Sequence, residues 1–186
     1  MKLLHILPAA LLALTPALAP AASSAAPASC CGQMPSGAMT CPAFAQKVAM
    51  VDLLEIQLGK VAQTNASLPA VKKFGAYMTA SHTEINARLA KVAAECGIPL
   101  PTQLDAPSQA TLKKLAALKG PAFDKAYIPA MVAGHTQVLA MVKSFASTCP
   151  NPRMKAFAEK ITPIIANHLK AAQKVQAQMQ KDGLLP

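Results

Sequence analysis

Residues 69–97 read PAVKKFGAYMTASHTEINARLAKVAAECG, and this stretch decides the fold. Val71, Phe74, Met78, His82, Ile85, Leu89, Val92 and Cys96 recur in steps of three and four, the spacing that keeps side chains on one buried face of an α-helix. Pro69 suits a first helical turn. Gly97 is a natural C-terminal cap, and Pro99 and Pro101 forbid continuation. The same punctuation recurs along the chain. A first helix is expected from Pro42 to about Thr64, ended by the Asn65 to Pro69 segment. A third long run extends from Pro121 to Thr148, with a local bend expected at Pro129, and a fourth from Pro152 to about Lys181, set off by Cys149-Pro150-Asn151-Pro152. The connection after Cys96 holds a short basic helix near Ser108 to Lys119. Long helices joined by short turns are antiparallel neighbours, so the expected architecture is all-α, a four-helix bundle over residues 42–181 with a short extra helix between its second and third helices.

Composition agrees. The chain has 186 residues, rich in Ala, with 4% aromatic residues and no Trp, enough for one modest domain. The net charge of +10 comes almost wholly from Lys, since Arg88 and Arg153 are the only arginines. With few aromatics to stack on bases, that argues against nucleic acid. Lys-rich faces, including Lys47, Lys72, Lys73, Lys143 and Lys155, could attract an anionic surface or an acidic partner, although such faces are usually only solvated. Beyond the N-terminus no apolar run approaches the roughly 18 residues of a membrane span, so no transmembrane segment is expected.

Residues 1–28 read as an export signal: Met1-Lys2 is the charged start, Leu3 to Leu18 the apolar stretch, and Ala19-Pro20-Ala21 and Ala26-Pro27-Ala28 are candidate cleavage sites. A periplasmic protein is the expectation. Lipid anchoring at Cys30 is the weaker reading, because Pro27 is awkward in such a motif. Residues 29–41 read as a disordered linker carrying Cys30, Cys31, Met34, Met39 and Cys41, sulfur ligands that would suit Cu(I), with a linker disulfide as the plainer reading.

Each long helix carries one ionisable residue on its seam: Glu55 in the first (Phe44, Val48, Val51, Leu58, Ala62), His82 in the second, His135 in the third (Ile128, Met131, Val138, Val142, Phe145) and His168 in the fourth (Met154, Phe157, Ile161, Ile164, Ala172). Each lies within about two residues of its helix midpoint, a height difference of roughly 3 Å at 1.5 Å per residue. The midpoint is the same level whichever way a helix runs, so all four should converge at the bundle centre. Neutral imidazole and carboxylate ligate Zn, Cu and Fe, which makes one transition-metal ion on Glu55, His82, His135 and His168 the functional reading. The competing reading is a hydrogen-bonded polar layer whose members satisfy one another. Met78 and Met131, one turn before His82 and His135, would favour Cu if they point inward and otherwise fill core. No catalytic constellation stands out: Ser81 and His82 are sequence neighbours and cannot face each other, and no phosphate loop is present, so an enzyme is the weaker reading.

The phrases EIQLGK (55–60), MTASHT (78–83), GIPLP (97–101), FDKAY (123–127), Gly134-His135 and Asn167-His168-Leu169 resemble the exported bacterial family catalogued as domain of unknown function 4142, over about Phe44 to Val175. The resemblance implies a ferritin-like fold and export, and no established reaction. That family's pattern has an acidic residue immediately before the second-helix His, where this chain has Ser81. Di-iron members of the wider superfamily use Glu-x-x-His, yet Thr79, Val132 and Ile165 stand three residues before the histidines, which argues against di-iron oxidation.

Export also bears on the cysteines. Cys41 precedes the first helix and Cys96 ends the second, at one end of the bundle, so Cys41–Cys96 is the favoured disulfide. Cys149 competes for Cys96 if the long connection runs back along the bundle as in ferritins.

Overall fold

The computed structural model describes residues 36–186 and contains five helices: α1 (Cys41–Asn65), α2 (Pro69–Glu95), α3 (Ala106–Ala116), α4 (Gly120–Thr148) and α5 (Pro152–Lys181). The expected signal segment and, of the expected linker, Cys30, Cys31 and Met34 lie outside the described residues.

Helix starts follow from local chemistry. Thr40, Asp105 and Asn151 cap α1, α3 and α5, their side-chain oxygens accepting the N–H of Ala43, Ser108 and Met154 at 3.3, 2.9 and 2.8 Å. Every helix also carries Pro in its first turn, where the missing N–H costs nothing. Gly97, at φ 63°, turns the chain out of α2 in the left-handed conformation that a side chain resists. The α4 and α5 helices run through Pro129 and Pro163.

Turns of three residues make α1 and α2, and α4 and α5, antiparallel pairs. The pairs then close into a bundle with α2 against α5 and α1 against α4. Two contacts give the direction of α4: Cys41, opening α1, meets Cys149, just past the end of α4, and Asn65, ending α1, bonds the carbonyls of Ala116 and Leu118, just before α4. The chain therefore runs up, down, down, up. Residues 96–119 form one long crossover back along the bundle, with α3 packed on α1.

Two apolar clusters fill the interior. One, around Phe44, Ile85, Leu89, Phe145 and Phe157, occupies the end where α1 begins; the other, around Leu58, Phe74, Met78, Phe123 and Tyr127, occupies the opposite end. The α1/α2 interface is close because glycines meet there: a Cβ on Gly75 would stand 2.6 Å from that of Ala62. The expected seams are buried with small departures. Val51, Val92 and Val138 are half-buried, and in α5 Ile165 takes the core position expected of Ile164. Met78 and Met131 belong to the second apolar cluster, the core-filling role. Among the described residues no helix is long and apolar enough to cross a membrane.

Candidate metal centre

Between the two apolar clusters lies one polar layer. Glu55, His82, His135 and His168, one from each long helix, are all buried there, as their mid-helix positions require. The three imidazoles converge: ring centroids are 4.9 Å apart for His82 and His168, 5.4 Å for His135 and His168, and 5.7 Å for His82 and His135. One ring nitrogen of each lies within 4.8 Å of those of the other two. Glu55 borders this cluster without joining it, so the four-residue set expected from sequence resolves into a histidine triad and an adjacent carboxylate.

Each imidazole is held by its other nitrogen. The Nδ1–H of His82 donates to Asp52 Oδ1 at 2.8 Å, and that of His135 to the Met131 carbonyl at 2.8 Å. His168 Nε2 pairs with Ser81 Oγ at 2.7 Å, and the half-exposed Tyr77 ring stands edge-on to His168 at 5.1 Å. The unpartnered nitrogens are Nε2 of His82, Nε2 of His135 and Nδ1 of His168. For His82 and His135 a carboxylate or carbonyl on the far nitrogen fixes the tautomer and the ring angle, leaving a lone pair aimed the other way, and for His168 the Ser81 hydroxyl fixes the ring angle; metal-ligating histidines are held in this manner.

The electrostatics keep the lone pairs. Burial, followed by the neighbouring His82 and His135, pushes His168 down to about 2, and burial also lowers His135. Both are neutral near pH 7, the form that ligates. Burial lifts Asp52 from 3.8 to about 6 despite the opposing hydrogen bond to His82. Tyr127, whose hydroxyl is also buried without a partner, is raised well above 10 by burial and by the Glu55 charge.

Asp52, the acceptor that orients His82, was not among the expected site residues. It stands one turn before Glu55 on α1, and its burial becomes visible only in the packed structure. Ser81 fills a supporting place where the family pattern suggested an acid.

The cysteine expectation needs correcting. Cys41 Sγ faces Cys149 Sγ at 3.8 Å with no disulfide between them, and neither is bridged to Cys96, which is itself disulfide-bonded. The crossover brings the end of α4 to the start of α1, and there Cys41 turns across the α1/α4 seam. Cys96 lies in the same apolar cluster.

The sequence matches the family described as domain of unknown function DUF4142 over residues 25–175, and the chain belongs to that family. No curated protein and no solved structure matches it.

Proposed function

We propose that this protein is an exported metal-binding bundle, ferritin-like in its connectivity, that holds one transition-metal ion on His82, His135 and His168. Glu55 stands beside the triad as a neighbouring carboxylate, and Asp52, the Met131 carbonyl and Ser81 are the outer groups that aim the rings. One observation carries the reading. Among the described residues, the buried side-chain N and O atoms without a partner are Asp52 Oδ2, Glu55 Oε2, His82 Nε2, His135 Nε2 and His168 Nδ1, all of this layer, and Tyr127 Oη of the second apolar cluster. Each unmade bond costs about 1–3 kcal/mol. A purely structural polar layer would pair these groups with one another, whereas a divalent cation takes three lone pairs at once. Three neutral nitrogens suit Zn(II) or Cu(II), and three protein ligands leave a position for a further group. Export is supported by the charged start and apolar stretch of residues 1–18.

The test is a thermal melt of the mature protein with chelator, Zn, Cu or Mn, beside His82→Ala and His135→Ala. A metal at a hundredfold excess over its dissociation constant should stabilise the fold by about 2.7 kcal/mol, and the shift should vanish in both variants. No shift in the unmodified protein, or a shift that persists without these histidines, rejects the site.

A further inference from the structure

Gly134 sits in the interior of α4, next to His135, where a glycine costs a helix about 0.5–1 kcal/mol relative to alanine. Gly75 has a packing reason to be glycine. Gly134 has none: its φ is not positive, and a Cβ added to it would meet nothing within 4 Å. What the missing side chain leaves is space. Gly134 lines a cleft of about 180 Å³ between α1 and α4, together with Lys47, Val51 and Gln137, and the inner wall of that cleft is Glu55, His82 and His135. The cleft is below the roughly 300 Å³ at which sites for drug-sized molecules begin. Lys47 is exposed.

Resting on the metal reading above, we infer that this cleft is the passage by which a small exogenous anion reaches the metal, and that Gly134 keeps it open. The metal would be held by three neutral imidazoles and so keep its full positive charge. The ligands leave a position free, and the cleft wall that carries two of them is the wall an entering molecule meets. Lys47 adds a positive charge along the way. Glu55 works in the opposite sense, its carboxylate opposing a second negative charge and setting how tightly an anion is held. The ligand class is therefore an anion of a few non-hydrogen atoms; anything larger is excluded by the walls.

The test uses the mature protein loaded with Co(II), with sodium azide as the probe and the visible absorption of the cobalt as the readout. Azide should bind saturably. Gly134→Leu, which fills the cleft, should weaken azide about tenfold or more, in the range that added methylenes cause in a closed pocket, while cobalt affinity stays unchanged. Gly134→Ala should act in the same direction by a smaller factor and serves if the leucine variant misfolds. Lys47→Glu should weaken azide in a salt-dependent way, and Glu55→Gln should tighten it. Cobalt uptake without azide binding, or equal azide affinity in Gly134→Leu, Gly134→Ala and the unmodified protein, overturns this inference alone. Failure to take up cobalt overturns the metal reading and this inference with it.

Discussion

Two buried polar groups of residues occupy this bundle, and they are built on opposite terms. At the end where α1 meets α2, the Asp124 carboxylate accepts from the backbone N–H of Ser67, the backbone N–H of Leu68 at 3.0 Å, and the Ser67 hydroxyl. Beside it the Asn65 amide donates to the carbonyls of Ala116 and Leu118 at 3.0 and 2.8 Å, and its oxygen accepts from Lys119 Nζ at 2.5 Å. Neither residue leaves a buried side-chain N or O unpartnered. In the central layer each histidine makes one hydrogen bond and offers one bare nitrogen, and Asp52 and Glu55 each keep a bare oxygen. A polar group whose task is to hold elements together is saturated by those elements. One whose task is to receive something from outside is oriented on one side and open on the other.

The largest effect expected from this contrast lies at the saturated end. Asp124→Ala removes the acceptor for two orphan N–H groups at the start of α2 together with a buried hydroxyl bond, and should cost about 3 kcal/mol or more in chemical denaturation. Its metal-induced stabilisation should equal that of the unmodified protein. Loss of that stabilisation in a folded Asp124→Ala variant would mean the two groups are coupled and would break the contrast.

Acid separates the regions next. In the unfolded chain His168 protonates near 6.5, whereas the folded chain refuses the proton until about pH 2. Between those values the unfolded state binds more protons, so stability falls with falling pH, by about 1.4 kcal/mol per unit per fully shifted group. His135 acts in the same direction. Asp52 works against them between about pH 6 and 3.8, because the folded chain there keeps a proton that the unfolded chain has shed. The metal-free melting temperature should therefore drop from pH 7 to pH 5, with Asp52 blunting the fall. Replacing His168 by Leu should flatten the profile, and an unmodified protein whose melt is flat over this range would contradict the neutral, buried histidines.

Much of this was legible in the sequence, for physical reasons that differ by feature. Pro42, Pro69, Pro121 and Pro152 fix helix starts because proline's ring is compatible only with a first turn, and the observed helices begin at those residues or one before. The convergence of the three histidines, with Glu55 at the same level beside them, followed from helix midpoints, which do not depend on topology. Asp52 was missed because a carboxylate on a helix is ordinarily solvated, and only the packed neighbour, His82, reveals why this one is buried. The cysteine contact was missed because it depends on the rotation of α1 about its own axis. Sequence spacing puts Cys41, Cys96 and Cys149 at one end of the bundle without saying which faces which. The cleft beside Gly134 is likewise invisible in sequence, since it exists in the seam between two helices that are distant along the chain.

Metal content per chain tests the open character of the central layer most directly. The protein is stripped with chelator, reconstituted with Zn(II), desalted and assayed by elemental analysis, beside the double variant His82→Ala/His135→Ala. The expected result is one zinc per chain in the unmodified protein and none in the variant. Zinc retained by neither, or equally by both, would contradict a metal centre on His82, His135 and His168.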